Sequence, residues 1–376
     1  MGCPPLAVRH PAERNRVAST DDEPGAEAEA TDLARLSVIQ AVRSDGFAGV
    51  ERYICETANG LAGRGHRVVV VGGDPTRMRH ELCDEVLHHP ASSISQVTRA
   101  LLGHRGADVI HAHMTAAEGA AWLARPLQRA PVVATRHFPG GRGTGAPARL
   151  LARMTSRAIC RDIAISQFVA DGIDGPSVLI PNSVPDQAQA TLESPTVVML
   201  QRLTTEKDPA VGIRAWASSS LGSRGWRLVV AGVGDLRPSL IDLVHDLGVG
   251  SSVEFAGLVS DTDRLLDGSS MLLAPAPAEP FGLSVVEAMS HGVPVIAAGG
   301  GAHVETVGED GILFDPGDAE AAANALAALA GDRARRLRIG GRLRDRQRRL
   351  FALPHHLDRL ELLYREVIRE SARRTR

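Results

Sequence analysis

The sequence is poor in cysteine and in aromatic residues, and it has no long apolar run. Its four cysteines lack the paired spacing of zinc ligands or of a disulfide framework, so we expect reduced thiols. Aromatic residues make up only 3% of the chain, which argues against a base-stacking surface for single-stranded nucleic acid. No apolar run approaches the roughly 20 residues of a membrane-spanning helix, and the first residues lack the apolar region of a signal peptide. We therefore expect a cytoplasmic protein.

A strong charge of one sign is also missing. The formal net charge is −2, so no overall field would draw the chain to nucleic acid, and no nucleic-acid partner is expected. Lysine is nearly absent as well: the 42 basic residues include a single lysine, Lys207, and the others are arginine. A lone lysine in that background indicates a position where a compact ammonium is needed, with a random surface lysine as the alternative.

Length and patterning predict two domains. A chain of 376 residues can build two cores. Residues 1–34 are rich in Ala, Glu, Pro and Asp without periodicity, which predicts a disordered leader. Beyond them strands alternate with helices, which predicts the α/β class with parallel, doubly wound sheets. We predict a Rossmann-like domain over 35–185, a second over 186–350 and a C-terminal helical segment over 351–376. The predicted strands lie at 36–42, 68–72, 108–111, 131–135, 158–160, 163–165 and 178–180, and then at 197–200, 228–232, 253–255, 271–274 and 293–296.

The most informative segment runs from Glu279 to Glu287, with the sequence Glu-Pro-Phe-Gly-Leu-Ser-Val-Val-Glu. It follows the apolar strand 271–274 and opens a helical run over 281–291. Gly282 allows the backbone to approach a ligand closely, and the free amides of a helix start attract phosphate. Glu287 lies about 1.5 turns into that helix, roughly 9 Å along the axis from its start. A carboxylate, a phosphate-binding turn and a second carboxylate match the sugar, diphosphate and ribose of a nucleotide-sugar.

A second set of phosphate-binding candidates follows the strand at 197–200. Arg202 and Lys207 lie just beyond its carboxyl end, the edge at which ligands bind in such sheets. Two cations at that edge can bind a diphosphate. Gly232 and Gly234 follow the next strand as a GxG turn, which by itself is equally typical of a plain tight turn.

These segments resemble the retaining GT-B glycosyltransferases, family 4 in particular, whose hallmark is two glutamates around Phe-Gly. The resemblance covers residues 36–370 and implies two Rossmann-like domains that face a central cleft. It implies that the first domain binds the acceptor, that the second binds the nucleotide-sugar, and that the C-terminal helix over 351–376 returns to the first domain. It implies a metal-independent enzyme that moves a hexosyl group from a nucleoside-diphosphate sugar to an acceptor hydroxyl with retention of configuration. No cofactor is expected beyond that co-substrate. The acceptor stays open among a glycan, a lipid and a small metabolite, in glycan, glycolipid or glycosylated-metabolite biosynthesis.

The resemblance also assigns roles to residues of this chain. Arg202 and Lys207 would hold the donor's diphosphate. Glu279 would contact the hydroxyls of the transferred sugar, and Glu287 those of the donor ribose. His137 would lie beside the transferred sugar, although from the residues alone a structural histidine is an equal alternative. The other donor-binding positions are expected at Gly49, Gly232, Gly234, Val259, Phe281, Gly282 and Leu283.

Three patterns admit two interpretations. His111 and His113 share one face of a strand, as metal ligands do, but no third ligand is apparent in the sequence and no metal site is predicted. The pair Asp261 and Asp263 is interpreted as a helix N-cap rather than as a metal-binding DxD. The nine arginines within 333–349 are predicted to form a solvated helix face rather than a membrane or acidic-acceptor patch.

Other partners and functions stay open. A second basic cluster near the expected cleft mouth could receive a phosphorylated acceptor or a lipid head group, which would bring peripheral contact with the inner face of the membrane. A nucleotide-sugar 2-epimerase of the same fold would need further carboxylates deep in the cleft. A non-catalytic sugar-nucleotide-binding module would not need the full set of candidate residues. The second basic cluster comprises Arg136, Arg142, Arg149, Arg153 and Arg157.

Overall fold

The part of the protein described by the computed structural model comprises residues 35–140, 152 and 154–374. The predicted leader at 1–34 lies outside the described residues. So do three members of the second basic cluster, Arg142, Arg149 and Arg153. The described residues form two parallel β-sheets covered by helices, and both sheets belong to one compact unit, Leu36–Arg376. Among these residues, none of the helices combines the length and the apolarity that a membrane span requires.

The first sheet has seven parallel strands whose carboxyl ends meet at one edge. The strands are β1 (Ser37–Val42), β2 (Arg67–Val71), β3 (Leu87–His89), β4 (Val109–His113), β5 (Val132–Arg136), β6 (Ile159–Ala164) and β7 (Ser177–Leu179). Their spatial order is β3-β2-β1-β4-β5-β6-β7. The helices include α1 (Gly49–Gly63), α2 (Pro75–Glu81), α3 (Ile94–Gly103), α4 (Met114–Ala124) and α5 (Gln167–Asp171).

One strand of the first sheet corrects the sequence prediction. The strands predicted at 158–160 and 163–165 are a single strand, β6. Charged residues interrupt the apolar pattern inside it, and this interruption suggested two strands. The register against β5 skips Cys160, which forms a bulge, and Arg161 reaches Glu370 near the C terminus at 2.6 Å. An ion-pair partner outside the sheet therefore lets a charged residue occupy the strand.

The second sheet has six parallel strands and a large apolar core. The strands are β8 (Thr196–Leu200), β9 (Arg227–Ala231), β10 (Val253–Gly257), β11 (Met271–Ala274), β12 (Val295–Ala298) and β13 (Ile312–Phe314). Their spatial order is β10-β9-β8-β11-β12-β13. Neither β3 nor β13 was predicted; each has only three residues, a length at which strand patterns are often missed. The helices include α6 (Pro209–Ser219), α7 (Arg237–Asp246), α8 (Thr262–Asp267), α9 (Leu283–Ser290), α10 (His303–Thr306), α11 (Ala319–Ala330), α12 (Arg333–Leu350) and α13 (Leu353–Arg374).

The last helix, α13, packs against the first sheet rather than the second. Its stripe of Leu357, Leu360, Tyr364 and Val367 is buried in one core cluster with residues of β1 and α1. The approach to α1 is close, because a Cβ added to Gly60 would lie 2.6 Å from Leu357 Cδ1. The chain therefore returns to its first domain after completing the second.

The arginine-rich helix α12 is only partly a solvated face, so that prediction was incomplete. Arg336 is buried and donates to the carbonyl oxygens of Leu329, Ala330 and Leu192. Arg346 likewise donates to backbone carbonyl oxygens at the end of α10. The planar guanidinium carries five N–H donors, and here it joins separate backbone segments that no apolar side chain could connect.

Replacing Arg336 by methionine is expected to lower the free energy of unfolding by about 3 kcal/mol, since a charge-assisted buried network is lost. Urea unfolding measures the difference. Arg338→Met on the same helix is the matched control, because Arg338 is exposed and should change stability by less than about 0.5 kcal/mol. Equal losses in the two variants would show that Arg336 acts only through helix propensity or net charge.

Candidate active site

A cavity of about 950 Å³ opens at the carboxyl ends of strands from both sheets. Its lining brings together residues that are far apart in the chain, from Val42 at the end of β1 to His303 in α10. Gly234 is the one predicted site residue that is absent from this lining. The predicted site residues that line it are Gly49, His137, Arg202, Lys207, Gly232, Val259, Glu279, Phe281, Gly282, Leu283 and Glu287.

Two helix starts face each other across this cavity. Gly282 is the N-cap of α9 and has a left-handed backbone with φ of 86°, which favours glycine. Gly49 begins α1, and a Cβ added to it would lie 3.2 Å from Leu283 Cδ1. The free amides and positive dipole ends of α1 and α9 therefore converge on one region, an arrangement that suits a bound diphosphate.

The lone lysine lies beside this region. Lys207 ends a short 3₁₀ turn after β8, and its Nζ is 2.5 Å from Glu279 Oε2. Both side chains are 14% exposed, so the pair is largely desolvated. Arg202 forms an ion pair with Glu206 at 3.0 Å and is about half exposed, so it is free to turn toward a ligand. Both predicted cations therefore lie at the cavity. Lys207 is paired with Glu279, which is itself a predicted site residue, and Arg202 is paired with its neighbour Glu206.

Glu287 is buried on α9, and burial raises its pKa above the ordinary value. Arg52 reaches it from α1, with a guanidinium nitrogen 3.8 Å from the carboxylate. The same nitrogen donates to Thr262 Oγ1 at 3.0 Å. Arg52 therefore connects the first domain to two elements of the second. Sequence reasoning missed Arg52, because an arginine outside the apolar face of a helix is typical of a solvent-exposed position.

Glu56 lies one turn beyond Arg52 on α1, close to Glu287. Burial, followed by the nearby carboxylate of Glu287, raises the pKa of Glu56 from 4.5 to about 8. The folded protein therefore binds a proton at the Glu56 carboxylate more tightly than the unfolded chain does. Stability contributed by the protonated group is present below pH 4.5 and is lost as the pH rises to about 8.

Glu56→Gln is expected to raise the melting temperature relative to the parent protein above pH 8, and to change it little below pH 4.5. Calorimetric melts across this range measure the effect. Glu254→Gln is the control, since it removes an exposed carboxylate on β10. A raised pKa of Glu56 is contradicted if the melting temperatures of the two variants depend on pH in the same way.

The two glycines of the GxG turn after β9 have different surroundings. Gly232 lines the cavity and has φ of 144°, and a Cβ there would clash with the carbonyl of Gln201. A Cβ at Gly234 would clash with the backbone of Leu203, away from the cavity lining. Gly234 is therefore required for the close packing of two loops, and its role in donor binding stays a prediction.

An apolar wall extends the cavity beyond β9 and β10. Val259 lines it together with Val233 and Leu258, and these last two are 51% and 68% exposed. Three neighbouring apolar side chains at the cavity form a surface that suits a planar ring such as a nucleobase. The neighbouring Asp261 caps α8 by accepting a hydrogen bond from the Arg264 amide at 2.9 Å, as the capping interpretation predicted.

His137 lies at the cavity wall formed by the first domain. It is buried, and its Nε2 is 3.1 Å from Nδ1 of His113. Burial and the neighbouring Arg136 lower the pKa of His137 to about 3, so the ring is neutral. His111 and His113 hydrogen-bond to protein side chains, and within the described residues no group of three potential ligands is placed to hold a metal ion.

The rest of the first-domain wall is basic and apolar. Arg43 and Arg77 line it, and the guanidinium of Arg77 lies 5.0 Å from the ring centre of Phe47. Phe138 lines the wall and is 44% exposed. Met114 also lines it and has a left-handed φ of 69°, a strained backbone for a residue with a side chain. Such strain is typical of functional sites.

Comparison with known proteins identifies the family. Residues 47–187 match the model described as Glycosyltransferase Family 4, and residues 184–346 match the model described as Glycosyl transferases group 1. The chain is 28% identical over 319 residues to a D-inositol 3-phosphate glycosyltransferase of Nocardia farcinica, which covers 73% of this chain and 69% of that protein. It is 30% identical over 243 residues to an exopolysaccharide phosphotransferase of Streptomyces coelicolor, covering 62% of this chain but only 26% of that protein.

Solved structures show the same fold. Anabaena HepE, whose crystal structure contains UDP and glucose, has a TM-score of 0.72 and 20% identity, covering 87% of this chain and 98% of that chain. At this identity the likeness shows the fold alone, and it confirms the predicted arrangement of two Rossmann-like domains. The two family models between them cover residues 47–346. The chain therefore belongs to the GT-B glycosyltransferases of the family 4 type.

Proposed function

We propose that this protein transfers a hexosyl group from a nucleoside-diphosphate sugar to an acceptor hydroxyl, with retention of configuration and without a metal. The observation that carries the proposal is the placement of the Lys207–Glu279 pair beside the facing starts of α1 and α9. A diphosphate held between the helix starts would lie next to Lys207. The transferred sugar would then meet Glu279, and the ribose would meet Glu287 further along α9.

The residues at this position stabilise a departing diphosphate. The bond between the anomeric carbon and the phosphate oxygen breaks, and the acceptor oxygen bonds to the same face of the sugar. The acceptor's proton passes to the departing phosphate oxygen. Arg202, Lys207 and the amides of α9 supply the positive charge that this oxygen requires, which is why the proposal includes no metal.

The acceptor would bind against the first-domain wall. Arg43 and Arg77 supply positive charge there, and Phe138 and Met114 supply apolar surface. This combination suits an acceptor that carries both hydroxyls and an anionic group, from a glycan, a lipid or a small metabolite. Arg43 and Phe138 lie in loops, whereas Arg77 and Met114 lie in the first turns of α2 and α4. Loop residues determine specificity in many enzymes.

The test combines donor binding with turnover in the presence of EDTA. Calorimetric titration with UDP-glucose, UDP-N-acetylglucosamine and GDP-mannose is expected to select one donor. Release of the nucleoside diphosphate is then measured by coupled assay, and the anomeric configuration of the product is read by proton NMR. Retention of configuration with full activity in EDTA supports the proposal.

Three other outcomes would each contradict part of the proposed function. Loss of activity in EDTA would overturn metal independence. Conversion of the donor sugar to its 2-epimer without an acceptor would favour an epimerase. Donor binding without turnover for any of a panel of sugar, lipid and polyol-phosphate acceptors would favour a sugar-nucleotide-binding module.

A further inference from the structure

A continuous set of buried polar side chains extends from His137 to the C-terminal helix. Nε2 of His113 is 2.7 Å from Gln40 Oε1, and Gln40 Nε2 donates to the Tyr364 hydroxyl at 3.2 Å. The same hydroxyl is 2.7 Å from Nδ1 of His111. We call this set the buried ladder. Its members are Gln40, His111, His113, Thr135, His137 and Tyr364.

The histidine rings of the buried ladder are neutral. Burial lowers the pKa of His111 and of His113 well below the ordinary value, and burial lowers that of His137 to about 3. A neutral imidazole has one N–H and one lone pair, so each ring donates once and accepts once. The direction of one hydrogen bond therefore sets the direction of the next.

The amide of Gln40 sets the direction for the whole ladder. Its Oε1 can only accept, so the proton of His113 lies on Nε2. Nδ1 of His113 is then an acceptor, and His137 must donate to it from Nε2. The proton of His137 is thereby placed on Nε2, and its Nδ1 keeps a lone pair. Among the described residues, none hydrogen-bonds to that Nδ1.

The same orientation of the Gln40 amide sets the direction at the other end of the ladder. The Tyr364 oxygen accepts from Gln40, so its proton is available to Nδ1 of His111. His111 then donates from Nε2 to Thr135 Oγ1, at 2.6 Å. Every group donates and accepts in turn. The opposite orientation of the Gln40 amide would reverse each bond and would leave His137 with a proton on Nδ1.

We propose that Gln40 and Tyr364 are positioning residues, which hold His137 in the Nε2–H tautomer and present its Nδ1 lone pair to a substrate hydroxyl in the cavity. The inference rests on the proposed function for the substrate, but the tautomer itself does not. Sugar hydroxyls can donate to such a lone pair, whereas an N–H at the same place would require an acceptor. Tyr364 belongs to α13, so the C-terminal helix takes part in defining the active site.

The test measures the tautomer directly in the full chain labelled with ¹⁵N-histidine. Two-bond ¹H–¹⁵N spectra distinguish a protonated ring nitrogen from one with a lone pair. The parent protein should show His137 with the proton on Nε2. Gln40→Met removes the amide and should leave His137 as a mixture of tautomers, with kcat lowered about tenfold and donor affinity unchanged.

Two further variants separate positioning from packing. Gln40→Glu, neutral when buried, still accepts from His113 and should restore both the tautomer and most of the turnover. Gln128→Met is the control, because this buried amide donates to the carbonyl oxygens of Leu101 and His104, outside the buried ladder. It should leave the His137 tautomer unchanged.

The inference is wrong if His137 keeps its tautomer in Gln40→Met. It is equally wrong if Gln40→Met and Gln40→Glu lose turnover to the same extent, since packing alone would then explain the loss. Absence of sugar transfer in the parent protein would contradict the proposed function, and the spectra would still decide the tautomer. The two failures are therefore distinguishable.

Discussion

Lys207→Ala is expected to lower kcat for sugar transfer by about 10²–10³-fold while the protein stays folded. Lys207 supplies the compact positive charge next to the position proposed for the departing diphosphate. Its loss would also leave the Glu279 carboxylate without its partner in a largely desolvated site. Since charge develops on the diphosphate mainly in the transition state, the effect should fall on kcat more than on donor affinity.

Steady-state kinetics and a thermal melt measure these quantities. Arg214→Ala is the matched control, because Arg214 is an exposed cation on α6, the helix that follows Lys207. It changes the net charge equally and should leave kcat within a factor of about two. Unchanged turnover in a folded Lys207→Ala protein would remove the main support for the proposed mechanism.

Glu287→Gln is expected to weaken donor binding by about 10- to 100-fold, the equivalent of one charge-assisted hydrogen bond. The carboxylate is buried at the cavity, where we propose that it accepts hydrogen bonds from the ribose hydroxyls of the donor. Glutamine has the same shape but no charge. Because burial already disfavours the ionised form of Glu287, the substitution should not lower the melting temperature.

Calorimetric titration with the selected donor and with the free nucleoside diphosphate measures this loss, which should be similar for both because both contain the ribose. Glu309→Gln is the control, since Glu309 is exposed beyond α10. Unaltered affinity for the nucleoside diphosphate would show that Glu287 serves the domain contact through Arg52 rather than the donor.

The local pattern was sufficient for the elements that build the site. The strand before Glu279 and the helix after Gly282 follow from an apolar run, a glycine and a second apolar run, and the structure places them as β11 and α9. The single lysine among 42 basic residues indicated Lys207 before any geometry was known. Both signals are local, so they can be recognised from the sequence alone.

Pairing across the cavity could not be predicted in the same way. Arg52 and Glu287 are distant in sequence, and their contact depends on how the two domains meet. Gly234 fits the GxG pattern but packs against Leu203, because a pattern does not distinguish a loop contact from a ligand contact. Arg336 belongs to a charge run that is typical of solvent exposure, and burial of one member was decided by backbone carbonyls from other segments.

The sequence by itself determined the fold class, the two segments proposed to bind phosphate and eleven of the residues that line the cavity, because strand periodicity, glycine turns and helix starts are encoded over short distances. The tertiary structure alone decided which charges pair and which polar side chains meet in the buried ladder. The Lys207–Glu279 pair and the contacts of the buried ladder depend on distances of about one hydrogen bond between segments far apart in the chain. Such distances are set by the packing of two domains and a returning helix, and no local pattern specifies them.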